Sequence, residues 1–245
     1  MNNFNQDQQY ADYQVVGSTV RPVAKTFMAS VFLWMFAALG LSAFFSLWFA
    51  NSPELMSSVF DGRNFTGLGT LARFAPLGFV LLMSFGYNKL SAPVMTFLFL
   101  TFAAIMGISL SVWLVVFTTS SVFGCFLSAS VMFGIMAVLG YTTKQDLTSF
   151  GRILMMGLIG IIIASIVNMF LGSAFMDYII SFIGVAVFTG LTAYDVQKLK
   201  QIGAGAYGIG ENETRKLAIF GALSLYLDFI NLFLMLLRLF GKRRS

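Results

Sequence analysis

The sequence predicts an all-α integral membrane protein, a bundle of seven transmembrane helices. Hydrophobic residues make up 58% of its 245 residues, charged residues make up 10%, and the mean hydropathy is +0.84. Soluble domains contain about 25% charged residues. The 28 Phe and 23 Gly fit a helical bundle in which aromatic side chains face lipid and small residues allow close helix packing.

Each membrane span needs about 20 apolar residues. Six stretches meet this requirement: Phe27 to Ala50, Pro93 to Phe117, Val122 to Tyr141, Ile153 to Leu171, Phe175 to Val196 and Leu217 to Phe240. A seventh, Phe74 to Tyr87, is short. It crosses the membrane if its helix begins a turn earlier and Arg73 extends to the interface.

The spans divide the chain into a polar N-terminal tail (1–25), a transmembrane domain (26–241) and a basic C-terminal tail (242–245). The N-terminal tail lacks the basic start and small-residue cleavage site of a signal peptide, so it is predicted to be disordered. The longest link between spans is Gly-rich and runs from Lys198 to Lys216.

Positive charges predict the orientation, because Lys and Arg accumulate in cytoplasmic loops. With seven spans and a cytoplasmic N-terminus, nine of the 15 Lys and Arg residues lie inside and six outside. A last segment that re-enters would change this to thirteen and two. The final apolar run has no Gly or Pro between Gly221 and Gly241 at which to turn back, which favours seven spans.

Charge and cysteine content exclude some classes of function. The net charge is +5, but no soluble domain presents a basic patch, so we expect no nucleic-acid partner. Cys125 is the single cysteine and forms no intrachain disulfide. The chain has no histidine, so the usual physiological pH switch is missing.

Two acidic residues, Asp195 and Asp228, lie within apolar runs. An ionised carboxylate at membrane depth costs at least about 3 kcal/mol, so such residues indicate a functional site. On the last helix, Ser224, Asp228, Asn231 and Arg238 follow at spacings of four, three and seven, which places them on one helix face. Thr192 and Asp195 share a face of the preceding span. Consecutive helices are usually neighbours, so the two faces are expected to meet.

Two facing carboxylates in a low-dielectric interior share a proton and titrate as a coupled pair. The alternative is structural: a buried Asp caps a helix or bonds Ser and Asn across an interface. Straight helices ending near Lys198 and Lys216 would leave Asp195 and Asp228 about 13 Å apart in height. Pairing therefore requires the earlier helix to continue past Lys198, or a water-filled vestibule that reaches Asp228.

Two stretches, "TAYDVQKLK" from Thr192 and "ALSLYLDFINLFLMLLRLFG" from Ala222, resemble the signatures of the transmembrane Bax inhibitor motif family, in its bacterial branch. The resemblance implies a seven-helix bundle with the last helix central, in a bacterial inner membrane. It also implies a pH-dependent Ca²⁺ leak with a di-aspartyl sensor, which corresponds to Asp195 and Asp228. The family couples these acids to an arginine at the end of the second span; here Lys89 is the nearest match, with Arg73 at the other end of that helix.

The sequence therefore predicts a passive, proton-regulated Ca²⁺ leak without a cofactor, in which Asp195 and Asp228 bind Ca²⁺ transiently because carboxylate oxygens suit that ion. Thr192, Ser224 and Asn231 would support the path. The alternative is a non-transporting regulator that binds a membrane-anchored protease, which the resemblance also implies for some bacterial members. Enzyme activity is not expected, because "LYLDFINLF" lacks the Gly-centred motif of an intramembrane aspartyl protease.

Overall fold

The computed structural model describes residues 24–62, 64–206 and 208–244, together with the helical backbone of residues 3–23. Within these residues the chain forms eight α-helices and no β-strand. They are α1 (Asn3–Asn51), α2 (Pro53–Val59), α3 (Gly67–Gly86), α4 (Ala92–Val116), α5 (Thr119–Thr142), α6 (Thr148–Leu171), α7 (Ala174–Gly205) and α8 (Glu211–Phe240).

The described residues contain seven helices that are long and apolar enough to cross a membrane: α1 through Ala24–Asn51, and α3 to α8. The prediction of seven spans is confirmed. The polar tail predicted for residues 1–25 falls almost entirely outside the residues whose side chains are described.

The second span begins earlier than its apolar run. Helix α3 starts at Gly67, about two turns before Phe74, because the Thr66 side chain accepts a hydrogen bond from the Gly69 N–H and caps the first turn. Arg73 therefore lies in the second turn, where its side chain is exposed. The short apolar stretch thus belongs to a helix long enough to span, as expected.

The sequence-based boundary of the sixth span is wrong, because α7 does not end at Val196 but continues to Gly205. Glycine lowers helix stability in isolation, yet Gly203 lets α7 pack closely against Phe27 of α1. Helix α8 then begins at Glu211, so the predicted long link shrinks to residues 206–210. Helix α7, which carries Asp195, therefore continues past Lys198. This was the condition for Asp195 to come near the height of Asp228.

Helix α8 is the centre of the bundle and packs against α1, α4, α5 and α7. In its most apolar stretch 72% of residues are buried, against 17–39% in the other spans. The other helices direct large apolar side chains outward, among them Phe85, Phe97 and Phe170. The outer helices thus shield α8 from lipid, and the prediction of a central last helix is confirmed.

The two ends of the bundle are defined by the ends of α8. We call the end that carries residues 206–210 the loop end, and the end that carries residues 241–244 the tail end. The span of α1 starts at the loop end, where Phe27 meets Gly203. At the tail end, residues 242–244 bond the α4–α5 turn: Thr118 N–H donates to the Lys242 carbonyl, and Arg244 N–H donates to the Val116 carbonyl. Helix α8 therefore crosses the whole bundle and does not re-enter.

Close contact between α5 and α7 depends on Gly140. A Cβ atom at this position would overlap the backbone carbonyl of Ala193. We predict that Gly140→Ala lowers the free energy of unfolding by about 1–3 kcal/mol, the cost of overpacking a filled interface. The measurement is thermal unfolding in detergent, followed by a fluorescent dye that reacts with the buried Cys125 thiol when the bundle opens.

The matched control is Gly134→Ala on the same helix. Nothing lies within 4 Å of a Cβ at Gly134, so only the higher helix propensity of alanine acts there. This variant should unfold at or above the temperature of the unmodified protein. Equal unfolding temperatures for the two variants would contradict the close approach of α5 and α7.

The arrangement of α8 also predicts the topology. A reporter fused after Ser245 should lie on the opposite side of the membrane from one fused before Met1, with the N-terminal reporter in the cytoplasm. Green fluorescent protein and alkaline phosphatase fusions test this, because the first fluoresces only in the cytoplasm and the second is active only outside it. Cytoplasmic signals from both ends would contradict seven spans.

Candidate functional site

The register between α7 and α8 decides whether the two intramembrane aspartates meet. Gly221 packs against Leu199, and Gly184 packs against Met235. Between these two contacts, Ser224 donates a hydrogen bond to the Asp195 carboxylate. This antiparallel register places Asp228 beside residues 191–192 of α7. Asp195 therefore lies about one turn, or about 5 Å along the axis, nearer to the loop end than Asp228.

Asp195 has the more polar surroundings of the two. It is half-buried, and its Oδ2 accepts a hydrogen bond of 2.5 Å from the Ser224 Oγ. Lys198, one turn further along α7, is exposed and contributes a positive charge nearby. Burial between α7 and α8 opposes ionisation of this carboxyl group, and the Ser224 hydroxyl and the Lys198 charge offset part of that cost.

Asp228 has the less polar surroundings. Its side chain is only 6% exposed, and its Oδ2 has no hydrogen-bond partner among the described residues. The Asp195 charge acts on it across the α7–α8 interface. Buried polar atoms are nearly always satisfied in folded proteins, so an unpartnered carboxyl oxygen in the centre of a bundle calls for a functional explanation.

Few other ionisable groups lie on the helices around Asp228. Helix α4 carries none, the described part of α1 carries Lys25 alone, and α5 carries Cys125 and Tyr141. Those on α7 are Asp177, Tyr178, Tyr194, Asp195, Lys198 and Lys200, and those on α8 itself are Glu211, Glu213, Arg215, Lys216, Tyr226 and Arg238. Asp195, about one turn away, is the acidic residue of these helices nearest to Asp228, so any change in charge at Asp228 is coupled mainly to Asp195.

The predicted supporting residues differ in what they contribute. Ser224 bonds Asp195 directly. Thr192 is buried at the level of Asp228, but its hydroxyl donates to the Phe188 carbonyl in its own helix. Asn231 lies half-buried on α8, three residues beyond Asp228. The structure thus connects Ser224 to Asp195 and places Thr192 at the level of Asp228, with Asn231 about one turn further along α8.

The two proposed latch cations do not pair with the aspartates in this structure. Lys89 is exposed in the α3–α4 turn at the loop end, and its backbone N–H donates to the Gly86 carbonyl. Arg73 lies at the tail end, where its guanidinium stacks over the rings of Phe65 and Phe74. The salt bridges found among the described residues involve neither cation. A latch through Lys89 stays a prediction for another conformation, whereas Arg73 lies at the wrong end of the bundle for this role.

Sequence reasoning missed two polar contacts made by α8. Tyr226 is fully buried, and its hydroxyl bonds the Ser42 Oγ of α1, which donates in turn to the Ala103 carbonyl of α4. Lys216 is 5% exposed and bonds Glu213 at 3.0 Å. Only the register of α1 against α8 reveals the first contact, because a serine in an apolar helix looks ordinary in sequence. The second was visible as an i, i+3 pair of opposite charges.

The site does not contain a ready-made metal cage. Within the described residues, no three His, Cys, Asp or Glu side chains lie close enough to hold a metal ion. Calcium takes about six to eight oxygen ligands. An ion at Asp195 and Asp228 would therefore complete its shell with water and with neighbouring hydroxyl or carbonyl oxygens, which suits passage better than retention.

Seven apolar helices, with the buried, aspartate-bearing α8 at their centre, define a multi-pass α-helical membrane protein with an intramembrane acidic site. The chain belongs to the Bax inhibitor family: the family model described as inhibitor of apoptosis-promoting Bax1 matches residues 24–245. The resemblance seen in the two signature stretches is thereby confirmed.

Relatives match over nearly the whole chain. The inner membrane protein YbhL of Escherichia coli K12 is 47% identical over 229 residues, which cover 93% of this chain and 97% of the relative. An uncharacterized protein of Rickettsia prowazekii is 40% identical over 90% of this chain and 91% of its own length. An uncharacterized membrane protein of Streptococcus pyogenes is 36% identical over 88% of this chain and 92% of its own length.

Proposed function

We propose that this protein is a passive, proton-regulated Ca²⁺ leak in which Asp195 and Asp228 form the proton sensor and line the ion path. One observation carries the proposal. The central helix buries a carboxyl group that has an unpartnered oxygen, one turn away from a second carboxyl group. Membership of the Bax inhibitor family supports the same proposed function. The likeness to YbhL of Escherichia coli supports a place in the bacterial inner membrane, with the N-terminus in the cytoplasm by the charge rule.

Electrostatics explains why protons and Ca²⁺ would compete at this site. A carboxylate without a partner costs several kcal/mol in a buried position, so Asp228 must hold either a proton or a cation. When Asp228 releases its proton and Asp195 is also ionised, two negative charges lie about one turn apart. These charges repel each other and attract a divalent ion. Calcium occupancy should therefore rise with pH until both acids are ionised.

In the proposed leak, the described conformation corresponds to a closed state. Asp228 is only 6% exposed, whereas Asp195 is half-buried nearer the loop end. An ion entering from the loop end would meet Asp195 and Ser224 first, then Asp228, then Asn231. At the tail end it would reach Arg238, which contacts Asp177 at 3.6 Å. Opening requires α8 to separate from at least one helix of the surrounding ring.

The partner-binding alternative has less support. Its interaction element is the N-terminal tail, whose side chains lie outside the described residues. In the proposed function the two aspartates bind protons and Ca²⁺ and catalyse no reaction. A flux measurement in sealed vesicles separates the two functions, because a regulator without transport activity leaves the vesicles tight.

The first prediction concerns the two aspartates. Asp195→Asn and Asp228→Asn keep the side-chain shape and remove the titration, so each should largely flatten the pH dependence of Ca²⁺ flux. The double variant should add little, because residues that act as a unit are not additive. Flux is measured on purified protein in liposomes with an internal Ca²⁺ dye, from about pH 5 to about pH 8, the range over which buried carboxyl groups titrate.

The matched control is Asp146→Asn in the α5–α6 turn. Hydrogen bonds from the side chain and backbone of Thr148 lower the pKa of Asp146, so this exposed carboxylate stays ionised throughout the assay. Its removal should leave the pH profile unchanged. Wild-type flux no higher than that of empty liposomes would refute the leak. An unaltered profile in both intramembrane variants would refute the sensor even if the leak is real.

The second prediction concerns Ser224. Ser224→Ala removes the hydroxyl that donates to Asp195, and with it the hydrogen bond that favours the ionised carboxylate. The midpoint of the flux profile should move to higher pH by about one to two units, the equivalent of one hydrogen bond to a charged group. Ser181→Ala is the control, because the buried Ser181 hydroxyl has no partner in the described part of the chain. Equal midpoints in the two variants would remove Ser224 from the sensor.

A further inference from the structure

A second polar feature lies at the tail end of the bundle, far from the two aspartates. A cavity of about 640 Å³ opens there between α3, α6 and the end of α8. Its charged lining residues are Arg73, Arg238, Arg243 and Asp177, three cations against one anion. Within the described residues the cavity therefore has a net positive lining.

The arginines are held in place and incompletely neutralised. The guanidinium carbon of Arg73 lies 5.3 Å from the centre of the Phe65 ring, and the guanidinium carbon of Arg238 lies 5.7 Å from the centre of the Trp113 ring. Arg238 meets Asp177 at 3.6 Å through a single nitrogen and oxygen pair, longer than a good charged hydrogen bond. Arg73 is close enough to Arg238 for the two positive charges to repel.

Neutral donors line the same cavity. Ser173 caps the start of α7 by accepting a hydrogen bond from the Met176 N–H, and the first N–H groups of that helix, from Ala174 onward, form the positive end of its dipole. Asn168 accepts a hydrogen bond from the Ser173 N–H through its Oδ1, which leaves its amide N–H groups as donors. Three guanidinium groups, an amide and a helix N-terminus together match the oxygens of a phosphate group.

The remaining wall of the cavity is apolar and faces lipid. Phe74, Ile166 and Met169 line it, and each is more than half exposed on the outer surface. Helix α3 packs mainly on α4, so the space between α3 and α6 is not filled by protein. A ligand in this cavity would meet donors at the membrane edge and hydrocarbon-facing side chains beside them.

We propose that this cavity is a binding site for a phosphate group, supplied by an anionic phospholipid whose acyl chains lie between α3 and α6. The positive lining selects a net negative headgroup, and the apolar wall selects a lipid over a soluble phosphate. The bound phosphate bridges α3, α8 and the C-terminal tail. This inference does not depend on the Ca²⁺ leak, and it uses none of the residues of the acid pair.

The experiment is native mass spectrometry of the purified full-length protein in detergent, with phosphatidylglycerol or phosphatidylcholine added at equal concentrations. Wild type should retain phosphatidylglycerol in preference to phosphatidylcholine. Arg73→Gln and Arg238→Gln should each weaken this binding about tenfold, the effect of losing one charge-assisted hydrogen bond. Arg215→Gln is the matched control: that guanidinium also lies over a tryptophan, Trp34, but at the loop end. It should leave lipid binding unchanged.

Arg243→Gln provides a variant that does not endanger folding, because Arg243 follows the last helix and joins the α4–α5 turn through its backbone. It should weaken binding in the same direction as the two helix variants. Phosphatidylglycerol retention that is equal in wild type and all three arginine variants would overturn the site. Equal retention of the two lipids by wild type would overturn the anionic lipid as the ligand.

Inorganic phosphate tests whether the bound phosphate group belongs to a lipid headgroup or is free phosphate. If the lipid is the ligand, millimolar phosphate should neither displace phosphatidylglycerol nor raise the unfolding temperature reported by Cys125. Arginine-dependent stabilisation by phosphate, without selective retention of the lipid, would support the phosphate site and overturn the lipid as its source.

Discussion

Burial of α8 inside a ring of other helices is the constraint on which the remaining structure depends. Lipid is as apolar as leucine, so helices in a membrane associate through close packing and polar contacts rather than through the hydrophobic effect. Gly140, Gly184 and Gly221 supply the close packing by letting neighbouring helices approach. The Tyr226–Ser42 and Ser224–Asp195 hydrogen bonds supply the polar contacts that fix the rotation of α8. The position of Asp228 follows from these contacts.

Composition and hydropathy were sufficient to predict the class, the number of spans and the two aspartates. Hydropathy sums over neighbouring residues, so a 20-residue apolar run is visible whatever it packs against. Helix ends were harder to predict, because they depend on contacts between distant residues. Gly203 signals a loop in sequence, yet α7 continues through it, since Phe27 of α1 covers that position.

The details of the site were less predictable than its members. The two carboxyl groups stood out as charges in apolar runs, and the face that they share with Ser224 followed from helical spacing. Their relative height did not, because it depends on the end of α7 and on the register set by Leu199 against Gly221. Among the tail-end arginines, Arg238 was visible on the polar face of the last helix, whereas Arg73 and Arg243 stood out only as flank or tail charges. Three separate segments contribute them, and no spacing rule connects residues 73, 238 and 243.

The order of the helices along the chain also has a consequence for biogenesis. Helix α8 is the most buried span, yet the ribosome makes it after the other six. Until it arrives, α1, α4, α5 and α7 must sit in the bilayer with their inward faces covered by lipid or by chaperoning proteins. Insertion of α8 and bonding of residues 242–244 to the α4–α5 turn would then complete assembly in one late step. Newly made chains truncated before α8 should be targets for membrane quality-control proteolysis.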